Sequence, residues 1–164
     1  MIRSLALAGG IAGAVALSQF PEFSQQYLQR LSGAVNELRP IALAFDVSAQ
    51  AAGLSRDEAL ARLEGSDFEE TLRDTMAGRL ARYDRLSRDY ASLRDKDPLG
   101  RLAQVWRFSD PDLARRTWEE FRPAVPATAD GLICAGIGYG AGWLSVMGLF
   151  AGLRRLFGRR RRAV

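Results

Sequence analysis

Two stretches of this chain carry no charge: residues 4–21 and residues 131–153. Nothing constrains its folding more. As a helix the first, SLALAGGIAGAVALSQFP, measures about 27 Å, close to a hydrocarbon core of about 30 Å. The second, GLICAGIGYGAGWLSVMGLFAGL, is longer and spans with some tilt. Pro21 is expected to end the first helix, and Asp130 to cap the second. Two alternatives for the first run stay open: a buried helix of a soluble domain, which its unbroken lack of polarity disfavours, and a signal peptide. Arg3 and the Ala14-Val15-Ala16 site also fit a cleaved signal peptide, which leaves the second run as the anchor.

Charge is segregated around these runs. The formal charge is +4, yet residues 20–130 hold 16 basic and 19 acidic side chains, which makes them mildly acidic. The excess of positive charge sits in Arg3 and in Arg154, Arg155, Arg159, Arg160, Arg161 and Arg162. Arginines next to the ends of apolar spans mark the cytoplasmic side, so both termini are expected in the cytoplasm and the middle outside it. A nucleic-acid binder carries its basic face on the folded domain. Here that domain is acidic, and no nucleic-acid partner is expected. The six tail arginines are also candidates for contact with anionic lipid heads, at roughly 1 kcal/mol each near the surface.

The chemistry available is narrow. The chain has no histidine and one cysteine, Cys134, inside the second run. Ser-His-Asp and Cys-His catalysis, His-ligated zinc and intramolecular disulfides are thereby excluded. Gly136-Ile137-Gly138-Tyr139-Gly140 lacks the preceding strand and following acid of a dinucleotide loop. Asp95, Asp97 and Gly100 match three positions of a calcium loop, but Trp106 stands where its glutamate belongs. Glu69-Glu70 and Glu119-Glu120 are adjacent on helices, and adjacent positions do not face each other. No catalytic residue, cofactor or metal site is expected, and the chain reads as a non-enzyme.

Small residues recur at four-residue spacing in both runs. Ala6, Gly10, Ala14 and Ser18 form one stripe, with Gly9 and Gly13 beside it. In the second run Gly136 aligns with Gly140 and Gly138 with Gly142, while Gly148 and Gly152 continue the first of these stripes. Such stripes let helix backbones approach where the hydrophobic effect gives no drive. Gly9, Gly10, Gly13, Gly136, Gly138, Gly140 and Gly142 are therefore the expected packing positions, either between the two helices or with a partner. Tyr139 and Trp143 share a face near mid-span, where packing explains them.

The middle reads as helices throughout. Phe23, Tyr27, Leu31, Val35, Leu38, Ala42 and Phe45 form one apolar stripe that Pro40 is expected to kink or break near Arg39. Gly53 closes this segment. Ser55 with Glu58, and Ser66 with Glu69, are capping boxes. The second opens another stripe: Phe68, Leu72, Met76, Leu80, Tyr83, Leu86, Tyr90 and Leu93. Glu69–Arg73 and Asp84–Arg88 are spaced for i,i+4 pairs. Asp97-Pro98-Leu99-Gly100 is a turn, followed by a short helix with Leu102, Val105 and Trp106. Ser109-Asp110-Pro111-Asp112 caps a helix containing Leu113, Trp118 and Phe121. Trp118 and Phe121 either lie at the membrane interface or plug the end of the helical domain. The two long stripes can bury each other in an antiparallel hairpin or pair between subunits.

These readings give an all-α chain in four parts. They are a transmembrane helix or signal anchor at residues 1–21, a periplasmic helical hairpin or coiled-coil-like domain at 22–126, a second transmembrane helix at 127–153, and a basic cytoplasmic tail at 154–164. Two transmembrane helices thus flank the helical domain. The expected location is the cell inner membrane, multi-pass. The expected role is a non-enzymatic scaffold or accessory subunit of a membrane complex, in contact with the lipid bilayer and with a membrane-protein partner or itself. The alternative is an anionic-lipid-associated or envelope-stress component anchored by its arginine-rich tail.

The start of the chain, through Gln19-Phe20-Pro21-Glu22-Phe23, Gln25-Gln26-Tyr27 and Gln29-Arg30-Leu31, resembles a proteobacterial inner-membrane protein family of unknown function, domain of unknown function two-nine-three-seven (DUF2937). Gly53-Leu54-Ser55-Arg56 before Glu58-Ala59-Leu60, and Thr117-Trp118 through Phe121 and Pro123, carry the likeness further along the chain. The resemblance implies a Gram-negative inner-membrane location. It brings no activity and no site residues.

Overall fold

The computed structural model describes residues 2–123 and 128–159, the last five by their backbone alone. Among the described residues all regular structure is helical. The helices are α1 (Ile2–Ser18), α2 (Phe20–Ala51), α3 (Arg56–Ala61), α4 (Asp67–Leu93), α5 (Pro98–Leu102), α6 (Pro111–Glu119) and α7 (Ala129–Arg159), with one 3-10 turn at Val105–Arg107. The chain divides into two compact units. The first comprises Met1–Gln25, Asp97–Ala103 and Glu120–Val164, and the second Gln26–Lys96 and Gln104–Glu119.

In the first unit α1 packs along α7. α1 ends at Ser18, before Pro21, and the proline falls in the first turn of α2. There its missing N–H is one that no bond within α2 would use, so the proline that follows the end of α1 also opens α2. The cap of α7 differs from expectation. The Thr128 hydroxyl accepts the Gly131 N–H at 3.2 Å, and Asp130 lies inside the first turn. A carboxylate there still favours the positive end of the helix dipole. α5 lies against α7. The Arg101 guanidinium of α5 is buried and donates to Gln25 at 2.9 Å. Asp97-Pro98-Leu99-Gly100, expected as a turn, is the cap and first turn of α5: the Asp97 carboxylate accepts the Gly100 N–H at 2.8 Å.

In the second unit α2 buries Tyr27, Leu31, Val35, Ala42 and Ala49, and α4 buries Leu80, Leu86 and Leu93. Both sets follow the helical period that keeps one face inward. α2 runs through Pro40 without a break, so of the kink or break expected there the break does not occur. Proline removes one backbone bond at a cost of about 3 kcal/mol, and burial of the stripe on both sides of it offsets that loss. The end of α2 follows from Gly53, whose φ of +71° lies in the left-handed region. That turn lets Leu54 N–H reach the Ala49 carbonyl and Gly53 N–H the Gln50 carbonyl, each at 2.9 Å. Ser55 then caps α3, with both halves of its capping box formed. Ser66 caps α4 by accepting the Glu69 N–H. The expected pairs along α4 give way to others. Arg73 reaches Glu64 and Asp74, and Asp84 accepts Arg56.

Candidate functional site

The sequence singles out the small residues of the apolar runs, and in the first unit they form a seam. A methyl group built on Gly13 would strike the Gly138 carbonyl oxygen; one built on Gly138 would strike that of Gly13. Gly142 has the same relation to the Gly9 carbonyl. A methyl on Gly9 would come within 2.6 Å of Val146, and one on Gly10 within 2.7 Å of the Tyr139 ring. Only glycine leaves room for such close backbone approach, which also permits Cα–H to carbonyl contacts. Gly9 faces Gly142 and Gly13 faces Gly138, so the two helices run antiparallel. Gly136 and Gly140, on the other expected stripe, have nothing within 4 Å of an added methyl, and the same holds for Gly148 and Gly152. Tyr139 covers Gly10, which accounts for one of the two mid-span aromatics.

The rest of this helix pair is apolar and uncovered. Leu5, Leu7, Ile11, Val15, Leu132, Leu144 and Leu149 are each at least half exposed. By length and composition the helical run Ile2–Ala51, which begins with α1, and the helix Ala129–Arg154 can each cross a membrane, with 17% and 11% of their apolar windows buried. A core helix of a water-soluble domain hides most of such a window. Two hydroxyls within the pair bond to their own helix: Ser18 donates to the Val15 carbonyl and Ser145 to that of Ala141, both at 2.8 Å. The antiparallel register puts Arg3 and Arg154 at one end of the pair and Asp130 at the other. Of the tail arginines, Arg154 is exposed; the side chains of Arg155 and Arg159, and all of Arg160, Arg161 and Arg162, lie outside the described residues.

A second constellation lies in the helical unit, and spacing along the sequence did not reveal it. Asp110 caps α6, accepting the Leu113 N–H at 3.1 Å, with its side chain only 3% exposed. The same carboxylate meets Arg82 at 3.3 Å and Arg85 at 3.4 Å. Beside it, buried Asp89 takes Arg107 at 2.9 Å and the Ser109 hydroxyl at 3.5 Å. The Tyr27 ring packs on Phe108 with centroids 4.7 Å apart. Burial pushes the Tyr27 hydroxyl up to about 12, opposed by a hydrogen bond from the Asp110 backbone. The cluster ties α4 to Arg107 and the start of α6 through charges that would be costly to bury singly, and Tyr27 of α2 joins it through its ring and hydroxyl. Farther along, Arg56 donates to Asp46 through two nitrogens, at 2.7 and 2.8 Å, and to Asp84 at 2.8 Å. The hydrogen bond from Arg56 holds the Asp46 carboxyl below the usual carboxylate range. Among the described residues no group of three or more Cys, Asp or Glu side chains is placed to hold a metal ion.

An all-helical protein with two long apolar helices is what the fold and the seam define. The chain belongs to the family described as Protein of unknown function (DUF2937), whose model matches residues 1–159. No curated protein and no solved structure matches the chain.

Proposed function

We propose that this protein is a non-enzymatic scaffold or accessory subunit of the inner membrane, anchored by α1 and α7 as a tightly packed transmembrane pair. The observation that carries this reading is the contrast within the pair. It is closed glycine to glycine along one seam, while its remaining surface is exposed leucine, isoleucine and valine. A surface of that kind suits hydrocarbon. The arginines at one end support an orientation with both termini in the cytoplasm. The helical domain between the anchors then stands in the periplasm, where its ion-paired interior suits it to holding a partner. Gentle detergent extraction of the native chain, followed by identification of what co-purifies, tests the role. Reproducible recovery with an inner-membrane complex is the expected result. Recovery of the chain alone with bound anionic phospholipid counts against a scaffold and favours a lipid-associated role.

A further inference from the structure

Trp106 and Trp118 are 68% and 72% exposed, and Val105 beside the first is 52% exposed. Large aromatic side chains with one polar N–H favour the boundary between hydrocarbon and water. A span of roughly 20 residues that begins at Ser4 reaches its far boundary near Phe23. Phe121 packs edge-on against Phe23, with ring centroids 6.0 Å apart. Arg101 is bonded to Gln25, two residues further along. Both anchor points therefore lie at the boundary level of the end opposite Arg3 and Arg154. Trp118 stands three residues before Phe121, and Trp106 five after Arg101, within chain reaches of about 10 and 18 Å.

We propose that Trp106 and Trp118 seat in the headgroup layer of the leaflet away from Arg3 and Arg154. The inference relies on the reading of α1 and α7 as a transmembrane pair. It also resolves the alternatives the sequence left for this segment. Phe121 packs on Phe23 at that boundary, and the exposed faces of the tryptophans make the lipid contact.

Trp143, near the middle of α7, supplies an internal control, because the chain holds three tryptophans in all. Three full-length variants keep one each: W106F/W118F, W106F/W143F and W118F/W143F. They are reconstituted into phosphatidylcholine vesicles with bromines placed either near the glycerol backbone or near the chain ends. Trp143 is expected to lose most intensity with the deep bromines. Trp106 and Trp118 are expected to emit at blue-shifted wavelengths and to lose intensity mainly with the shallow bromines. If Trp143 is quenched while Trp106 and Trp118 respond only to aqueous iodide, the lipid contact is overturned and the anchor stands. If Trp143 too is insensitive to both bromolipids, the anchor itself falls, and the proposal falls with it.

Discussion

Gly13 and Gly138 set the closest approach of α1 to α7, because an added methyl on either meets the other's carbonyl oxygen. A backbone atom cannot rotate away as a side chain can. Gly13→Leu or Gly138→Leu is therefore expected to destabilise the pair by about 1–3 kcal/mol, the usual range for overpacking a tight contact. Gly136→Ala and Gly140→Ala meet open space and are expected to change stability by less than about 0.5 kcal/mol. Unfolding in mixed micelles by titration with dodecyl sulfate separates the two groups. Similar losses at all four positions would mean that the second stripe is also packed, against something outside the pair. At Asp110, one carboxylate both caps α6 and receives two arginines. Asp110→Ala removes all of these at a nearly inaccessible position and is expected to cost about 3 kcal/mol. Asp110→Asn keeps the cap and is expected to cost less, which thermal unfolding of the two variants checks.

At the scale of the helices, caps and stops were the most legible features, because they depend on residues only a few positions apart. Gly53, Ser55 and Ser66 act where their local patterns indicate. Gly53→Ala places a Cβ in a left-handed turn and is expected to destabilise the end of α2 by about 1–2 kcal/mol, measured by hydrogen exchange at Leu54 and its neighbours. Legibility failed at one cap, where Thr128 takes the place expected of Asp130, and more often where a distant group decides. Pro40 breaks helices on local grounds, yet α2 continues through it because the apolar face on both sides is buried. Arg73 and Asp84 look like partners of residues one turn away but choose others, Asp84 accepting Arg56 across 28 positions. The Asp110 cap was readable, whereas its arginines, 25 and 28 positions back along the chain, were not. The Arg56 clamp also gives a pH dependence. Asp46 has a lowered folded pKa, so its contribution is present above the unfolded value near 4 and is lost as pH falls through the folded one. The stability difference between the native chain and Asp46→Asn should be steady from pH 7 to about 5 and shrink below about 4. A difference that grows on acidification would contradict the clamp.

For the molecule as a whole, the two charge-free runs were visible at once, and so were the small-residue stripes within them. Their mutual register was not. Four glycines in α7 could have faced α1, and only three-dimensional packing selects Gly138 and Gly142. That choice aligns the helices antiparallel and gathers Arg3 and Arg154 at one end. On the proposed reading, the polypeptide between α1 and α7 lies on the opposite side of the bilayer. Membrane-impermeant maleimide tests this in a Cys134→Ala background carrying one new cysteine, either at Ile2 or at Asp95, whose side chain is 80% exposed. In intact spheroplasts the account predicts labelling of Asp95→Cys and protection of Ile2→Cys, with the pattern reversed in inverted vesicles. Labelling of both from the same face of the membrane would contradict it.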